Sequence, residues 1–316
     1  MVDGYITMLT TDSRSLVGIT ELRSKRSSDW FYIDWWLMNH CSWNCSYCHD
    51  IIKSGNIPLP NYKECQQFIY EAAAYAQSRN KNCYFSFTGG EVTQWSEFGD
   101  IIKYAKDLNC YVKYRTNASS TRQDWTALLE HTDELAMEVH PEHTSLAHFF
   151  SLLGVAVDAG IRITVSFNML KAKWQEMEEL HDRIKQKYPS VFLHKKMLFQ
   201  DPVFNTTPVD YDQEQQEILK EQYKDVIFVD NGVVTETNYQ TIMLENKNQF
   251  KEWHCAAGLE QIIVDAWGKV YRGHCRFNGY LGSISDRVVW MQEPAVCGVD
   301  HCKNGFDILA TKQLLK

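Results

Sequence analysis

His40-Cys41-Ser42-Trp43-Asn44-Cys45-Ser46-Tyr47-Cys48-His49 is the stretch on which the reading of this chain turns. Three cysteines share one loop, the first two separated by three residues and the last two by two. Short-spaced thiolates on one loop can converge on a soft metal centre. Structural zinc wants four ligands, and His40 or His49 could supply the fourth. A four-iron cluster held by three thiolates instead leaves one iron open to another ligand. What surrounds the loop weighs between these.

Directly before the loop, Trp30-Phe31-Tyr32-Ile33-Asp34-Trp35-Trp36-Leu37-Met38 reads as a buried strand. After it, residues 58–79 carry Cys65, Phe68, Ile69, Ala72 and Ala76 at helical spacing. Strands and helices then alternate: a strand at 83–87 ending in Thr88-Gly89-Gly90-Glu91, and a helix at 96–108. A strand at 111–115 ends in Thr116-Asn117, and a helix follows at 122–131. A strand at 135–139 ends in His140-Pro141-Glu142, followed by a helix at 145–159. A strand at 162–167 ends in Asn168, with a helix at 172–188 and a sixth strand at 191–199. This alternation predicts parallel pairing with right-handed crossovers. Six units do not complete an eight-unit barrel, so the expected fold is α/β: an open six-unit (β/α)6 partial TIM barrel. Its site belongs at the C-terminal strand ends, where the cysteine loop, Gly89-Gly90-Glu91, Asn117, Glu138 and Asn168 all fall.

Beyond Pro202 the pattern changes. We expect a helix at 210–223, a hairpin of 226–229 and 233–237 across Asp230-Asn231-Gly232, and a short helix at 250–254. A second hairpin over 262–271 turns at Gly268. The expected division is an N-terminal extension (1–29), the barrel (30–225) and a small C-terminal α+β unit (226–316).

The 316 residues suffice for a core without staples. A net charge of -8 argues against a protein that coats nucleic acid. No run of some twenty apolar residues is present, so no transmembrane helix and no membrane partner are expected. The N-terminus has no charged-then-apolar signal pattern, so a cytoplasmic location is expected. Ten cysteines in a reducing compartment point to metal or redox chemistry rather than disulfides. Cys41, Cys45 and Cys48 form one group and Cys255, Cys275, Cys297 and Cys302 a second. Cys65, Cys83 and Cys110 read as buried small hydrophobes.

Cys41-x-x-x-Cys45-x-Tyr47-Cys48 after a first strand, with Gly89-Gly90-Glu91 after the second, resembles the radical S-adenosylmethionine (radical SAM) superfamily. The resemblance covers residues 30–200. It implies a [4Fe-4S] cluster on Cys41, Cys45 and Cys48, with the amine and carboxylate of S-adenosylmethionine on the open iron. It implies reductive cleavage to a 5′-deoxyadenosyl radical that takes a hydrogen atom from substrate, the cofactor doing the difficult step. An electron donor such as flavodoxin or ferredoxin is then required. On this resemblance Gly89 and Gly90 let the backbone approach the methionine moiety, with Glu91 near its ammonium, and Tyr47 lies by the adenine. Thr116 and Asn117 match the Thr-Asn that often ends the third strand, although Ala118 stands where a glycine commonly follows. Glu138 would meet the ribose hydroxyls, with Ser166 and Asn168 similar candidates; for these three, substrate binding or plain polar capping is an equal alternative.

The order Cys255, Gly268 hairpin, Cys275, Leu281-Gly282-Ser283-Ile284, then Cys297 and Cys302, resembles the twitch domain, the short form of the SPASM domain. That implies one auxiliary [4Fe-4S] cluster on four cysteines; zinc is the alternative, and His254, His274 or His301 could replace a ligand. Twitch and SPASM relatives act mainly on ribosomally made peptides or dehydrogenate small molecules such as sugar or aminocyclitol alcohols. Peptide modification is the leading expectation, by family association alone. The lack of an N-terminal leader-recognition module weakens a crosslinking role. Cys83 and Cys110, at the starts of their strands, are badly placed for epimerisation. A non-catalytic zinc-binding interaction module is the alternative of a different class.

Overall fold

The computed structural model describes residues 19–120, 124–201 and 205–315. β1 (Ile19–Ser24) lies within the expected N-terminal extension; residues 1–18 lie outside the description. β2 (Trp30–Met38) leads into the cysteine loop and the short α1 (Asp50–Lys53). α2 (Tyr62–Ser78) starts later than Pro58 because the Asn61 side chain caps it, accepting from the Lys63 and Glu64 amides. The alternation runs on through β3 (Asn82–Gly89), α3 (Phe98–Asp107), β4 (Tyr111–Thr116) and α4 (Trp125–Leu129). It ends with β5 (Glu134–Val139), α5 (Leu146–Asp158), β6 (Arg162–Asn168), α6 (Trp174–Lys187) and β7 (Phe192–Lys196).

β2 to β7 pair in sequence order and all in parallel. The sheet does not close, because β7 is an edge and the other side of β2 is taken by a later strand. Side chains along these strands alternate between two faces. One set is apolar and fully buried: Ile33 and Trp35, Phe85 and Phe87, Val112 and Tyr114, Val165 and Phe167. The other set is polar: Asp34, Ser86, Lys113, Arg115, Glu138, Ser166, His194 and Lys196, with Asp34, Ser86 and Lys113 on one level and Glu138, Ser166 and His194 on another. Trp35 belongs to the core, whereas Trp30 packs against Tyr84 and Tyr111 on the polar face and Trp36 against His274. Cys65, Cys83 and Cys110 are buried, as expected of small hydrophobes.

The remainder comprises β8 (Phe199–Asp201), β9 (Asn205–Pro208), α7 (Gln213–Lys220), β10 (Val226–Asp230) and β11 (Val233–Thr237). β10 and β11 are joined at Asn231 and Gly232, both at positive φ (50° and 86°) as a primed hairpin turn needs. α8 (Tyr239–Leu244), capped by Asn238, was not anticipated. The short helix expected at 250–254 is absent. Glu252 adopts φ 71°, which breaks a helix, and the segment turns into β12 (His254–Cys255). The hairpin of β13 (Gln261–Val264) and β14 (Lys269–Tyr271) turns at Gly268 as expected, and β15 (Tyr280–Ser283) follows. β16 (Ala295–Val296), α9 (Gly305–Ile308) and β17 (Lys312–Leu315) complete the order.

Three pairings bind this remainder to the main sheet and the N-terminal strand. β13 lies parallel to β2, so the hairpin extends the main sheet. β1 is sandwiched between β10 and β17 in a second sheet.

The buried Gln240 on α8 locks β7 in place. Its side chain accepts from the Met197 amide at 2.6 Å and donates to the carbonyls of Lys195 and Leu219 at 3.0 and 3.2 Å. Gln240→Leu orphans three buried backbone groups, so a loss of about 2–4 kcal/mol is expected in denaturant unfolding. A loss under about 1 kcal/mol would mean these bonds do not hold β7.

Candidate functional site

The C-terminal ends of β2, β3 and β4 are joined by backbone and by one carboxylate. The Gly90 amide donates to the Met38 carbonyl and the Glu91 amide to the His40 carbonyl, each at 2.8 Å. The approach leaves no room for side chains. A Cβ on Gly89 would lie 2.2 Å from the Met38 carbonyl oxygen, and one on Gly90 would lie 2.0 Å from that of His40. Gly89 also sits at φ 131°, a conformation open to glycine. The two glycines are therefore required by the cysteine loop packed upon them.

The Glu91 side chain is engaged within the protein. The carboxylate is fully buried and turned inward. One oxygen accepts from the Thr93 amide, the Thr93 hydroxyl and the Thr116 hydroxyl, the last two at 2.7 and 2.8 Å. The other accepts from the Asn117 amide at 2.6 Å. Burial raises its pKa against the pull of these donors. Glu91 is thus a tie between strand ends.

The cysteine loop is held from several sides. The Cys41 sulfur receives the Trp43 amide and the Asn117 side-chain amide, each at 3.4 Å. Cys45 and Cys48 interact directly, and the hydrogen bond from Cys45 holds the Cys48 thiol below the usual range. Lys53 donates to the Cys45 carbonyl, and Glu142 takes the Ser46 amide. Ligand atoms of Cys45, Cys48 and His140 lie within 4.8 Å of one another. His140 is the residue that sequence reasoning missed. Its Nδ1 lies 3.4 Å from the Cys45 sulfur and 2.9 Å from the Tyr47 hydroxyl, and burial lowers its pKa to about 4. Tyr47 stacks on this imidazole at 5.9 Å and 7°. The only sequence signal for His140 was its place directly after β5. Ala118, where a glycine was the common residue, sits at φ 59° and so carries the strain a glycine would avoid.

Glu138, Asn168 and Ser166 come together on β5 and β6. Glu138 pairs with Lys196 at 3.2 Å and Arg115 at 3.4 Å, and accepts from the Asn168 side chain at 3.3 Å. Ser166 is buried opposite Glu138 in the register. Burial opposes ionisation of Glu138, but Lys196 and then Arg115 outweigh it and bring the carboxyl down to about 2. Lys196 and Arg115 are additions that the sequence reading did not single out.

The second cysteine group also converges. Cys255, Cys275, Cys297 and Cys302 line one cavity with Arg272, Phe277, Asp307 and Lys312. The Asp307 carboxylate takes the amides of His274 and Cys275, each at 2.9 Å, and so sets the Cys275 loop. His274, one of the candidate substitute ligands, instead pairs with Asp34 of β2 at 3.1 Å.

No protein-family model matches the chain, and no curated protein matches it. Solved structures do. The native anSMEcpe with bound AdoMet aligns with a TM-score of 0.55 at 14% identity, over 82% of this chain and 79% of that one. The two share a fold. The same protein with bound AdoMet and Cp18Cys peptide aligns at 0.54 and 14%, over 82% and 78%. Streptococcus suis SuiB bound to precursor peptide SuiA also aligns, at 0.40 and 11%, over 78% and 60%. The radical SAM resemblance read from Cys41–Cys48 and Gly89-Gly90-Glu91 is thereby borne out at the level of fold. Among the described residues no helix is long and apolar enough to cross a membrane.

Two outcomes are expected. Gly90→Ala should prevent the cysteine loop from seating and cost about 3 kcal/mol or more, because the clash is with backbone. Normal stability and normal iron uptake would contradict this. For Glu138, the folded pKa lies below the usual 4.5, so its stabilisation is present above about pH 4.5 and is lost as pH falls towards 2. Apo wild type should exceed Glu138→Gln by about 3 kcal/mol near neutrality, and the gap should narrow below about pH 4.5. A pH-independent gap in parallel denaturation series would refute the linkage.

Proposed function

We propose that this chain is a radical SAM enzyme whose open (β/α)6 partial barrel, residues 30–225, carries a [4Fe-4S] cluster on Cys41, Cys45 and Cys48. The observation that carries the reading is the packing of Gly89-Gly90 directly beneath a three-cysteine loop at the C-terminal strand ends, in a fold shared with AdoMet-bound anSMEcpe. The donor set suits the group: three thiols on one loop, with amide donors already aimed at the Cys41 sulfur. When bound, the cluster and S-adenosylmethionine supply the electron transfer and the 5′-deoxyadenosyl radical of this chemistry.

The chain's own residues bind and orient. Glu91 fixes the Asn117 amide, and Asn117 steadies Cys41. Backbone groups of residues 89–90, rather than the Glu91 carboxylate, are the candidates for the methionine ammonium. Glu138, Ser166 and Asn168 are the candidates for the ribose, and Tyr47, held by His140, for the adenine edge. The polar face of the sheet, with Asp34, Arg115 and Lys196, offers charged groups to substrate.

The C-terminal residues 226–316 would hold one auxiliary [4Fe-4S] cluster on Cys255, Cys275, Cys297 and Cys302, supported by their lining a single cavity. A ribosomally made peptide is the substrate we favour, and the peptide bound to anSMEcpe supports it. A peptide epimerase is disfavoured, because Cys83 and Cys110 sit at the opening ends of β3 and β4. Small-molecule dehydrogenation is the competing enzyme reading. The donor, such as flavodoxin or ferredoxin, and a cytoplasmic setting belong to the same proposal.

Anaerobic reconstitution should give about eight irons per chain, falling to about four when Cys41, Cys45 and Cys48 are changed to Ser. Reduction with S-adenosylmethionine should release 5′-deoxyadenosine from wild type and none from that variant. A colourless protein retaining zinc on Cys45, Cys48 and His140 would overturn the enzyme reading.

A further inference from the structure

The cavity framed by Cys255, Cys275, Cys297 and Cys302 contains two buried cations with different surroundings. Lys312 is 1% exposed, and its ammonium donates to the carbonyls of Asp307, Ile308 and Ala310 beside the Phe250 ring. Its hydrogen bonding is complete. Arg272 is 2% exposed, yet its Nε and Nη1 have no partner among the described residues.

This orphaned guanidinium has a built seat. The Arg272 amide donates to the Gly279 carbonyl at 2.8 Å. A Cβ on Gly279 would lie 2.4 Å from Arg272 Cγ, and one on Gly258 would lie 3.2 Å from its Cβ. Two glycines thus leave space for the stem and direct the head into the cavity. The carboxylate that lines the cavity is occupied: Asp307 takes the His274 and Cys275 amides. A buried guanidinium with two unpartnered N–H groups is costly unless acceptors meet them. The groups left in the cavity to receive its N–H donors are the four cysteine sulfurs and whatever they hold.

We propose that Arg272 is a positioning residue for the auxiliary cluster, donating hydrogen bonds to its sulfur atoms and raising its reduction potential. The inference rests on the auxiliary-cluster reading. A cation and N–H donors at the sulfurs favour the reduced, more negative state. Arg rather than Lys suits the place, because a planar fork can serve more than one sulfur.

The test uses the full chain with Cys41, Cys45 and Cys48 changed to Ser, so that only the auxiliary centre is read. Iron and sulfide content and an EPR-monitored redox titration are compared for Arg272, R272K and R272M. We expect about four irons in the Arg272 parent. R272M should titrate at a more negative potential, with at least a tenfold fall in the reduced-to-oxidised ratio at fixed potential, about 59 mV. R272K should lie between. If R272M does not fold, G279A, whose added methyl displaces the Arg272 stem, should move the potential in the same direction. Unchanged potentials in the variants that hold iron would overturn the role of Arg272 alone. A parent that binds no iron would overturn the auxiliary cluster and this inference together.

Discussion

One buried carboxylate organises the mouth of the sheet. Glu91 accepts from Thr93 in its own turn and from Thr116 and Asn117 at the end of the next strand. Its amide and that of Gly90 reach back to the carbonyls of His40 and Met38. Three consecutive strand ends therefore meet at one residue. A buried carboxylate is tolerable only when fully hydrogen bonded, and here the donors are also the groups whose positions matter. Asn117 is fixed through its amide and turns its side chain to the Cys41 sulfur.

The sheet divides its labour by face. The apolar face is aromatic and close-packed, with Trp35 against Phe68 at 5.1 Å and Phe87 against Phe98 at 5.8 Å. The opposite face carries alternating charges. Lys113, Glu134 and Arg162 pair near the strand starts, while Arg115, Glu138 and Lys196 pair near the ends. Such pairing makes the buried charges among them tolerable, since each has an opposite charge to offset its desolvation. The Asp34–His274 pair joins the same face to the C-terminal cysteine loops.

Local signals carried much of this in the sequence. The cysteine spacing, Gly89-Gly90-Glu91, the Asn231-Gly232 hairpin and the Gly268 turn are each set within a few residues, and the structure has them where expected. The βα order was legible from periodicity, and with it the rim where Glu138 and Asn168 stand. What was missed depends on partners far away in the chain. The inward turn of Glu91 is decided by Thr116 and Asn117, the seat of His140 by Tyr47, and the importance of Lys196 by Glu138. The helix expected at 250–254 failed for a related reason. The Glu252 amide is drawn to the Cys297 carbonyl at 2.7 Å, a bond that helical spacing cannot foretell.

The parallel pairing of β13 with β2 anchors the segments that carry both cysteine groups to one sheet. β2 runs into Cys41, while the hairpin begun by β13 runs into Cys275. Trp290 stacks on Tyr75 at 4.4 Å, and the Tyr75 hydroxyl holds the Met291 carbonyl. The C-terminal segment is thus interleaved with the first βα unit. The hairpin and the strand that presents the first cysteines share backbone hydrogen bonds, so loosening one removes partners from the other. A substitution that disturbs the β2–β13 pairing therefore bears on both cysteine groups at once.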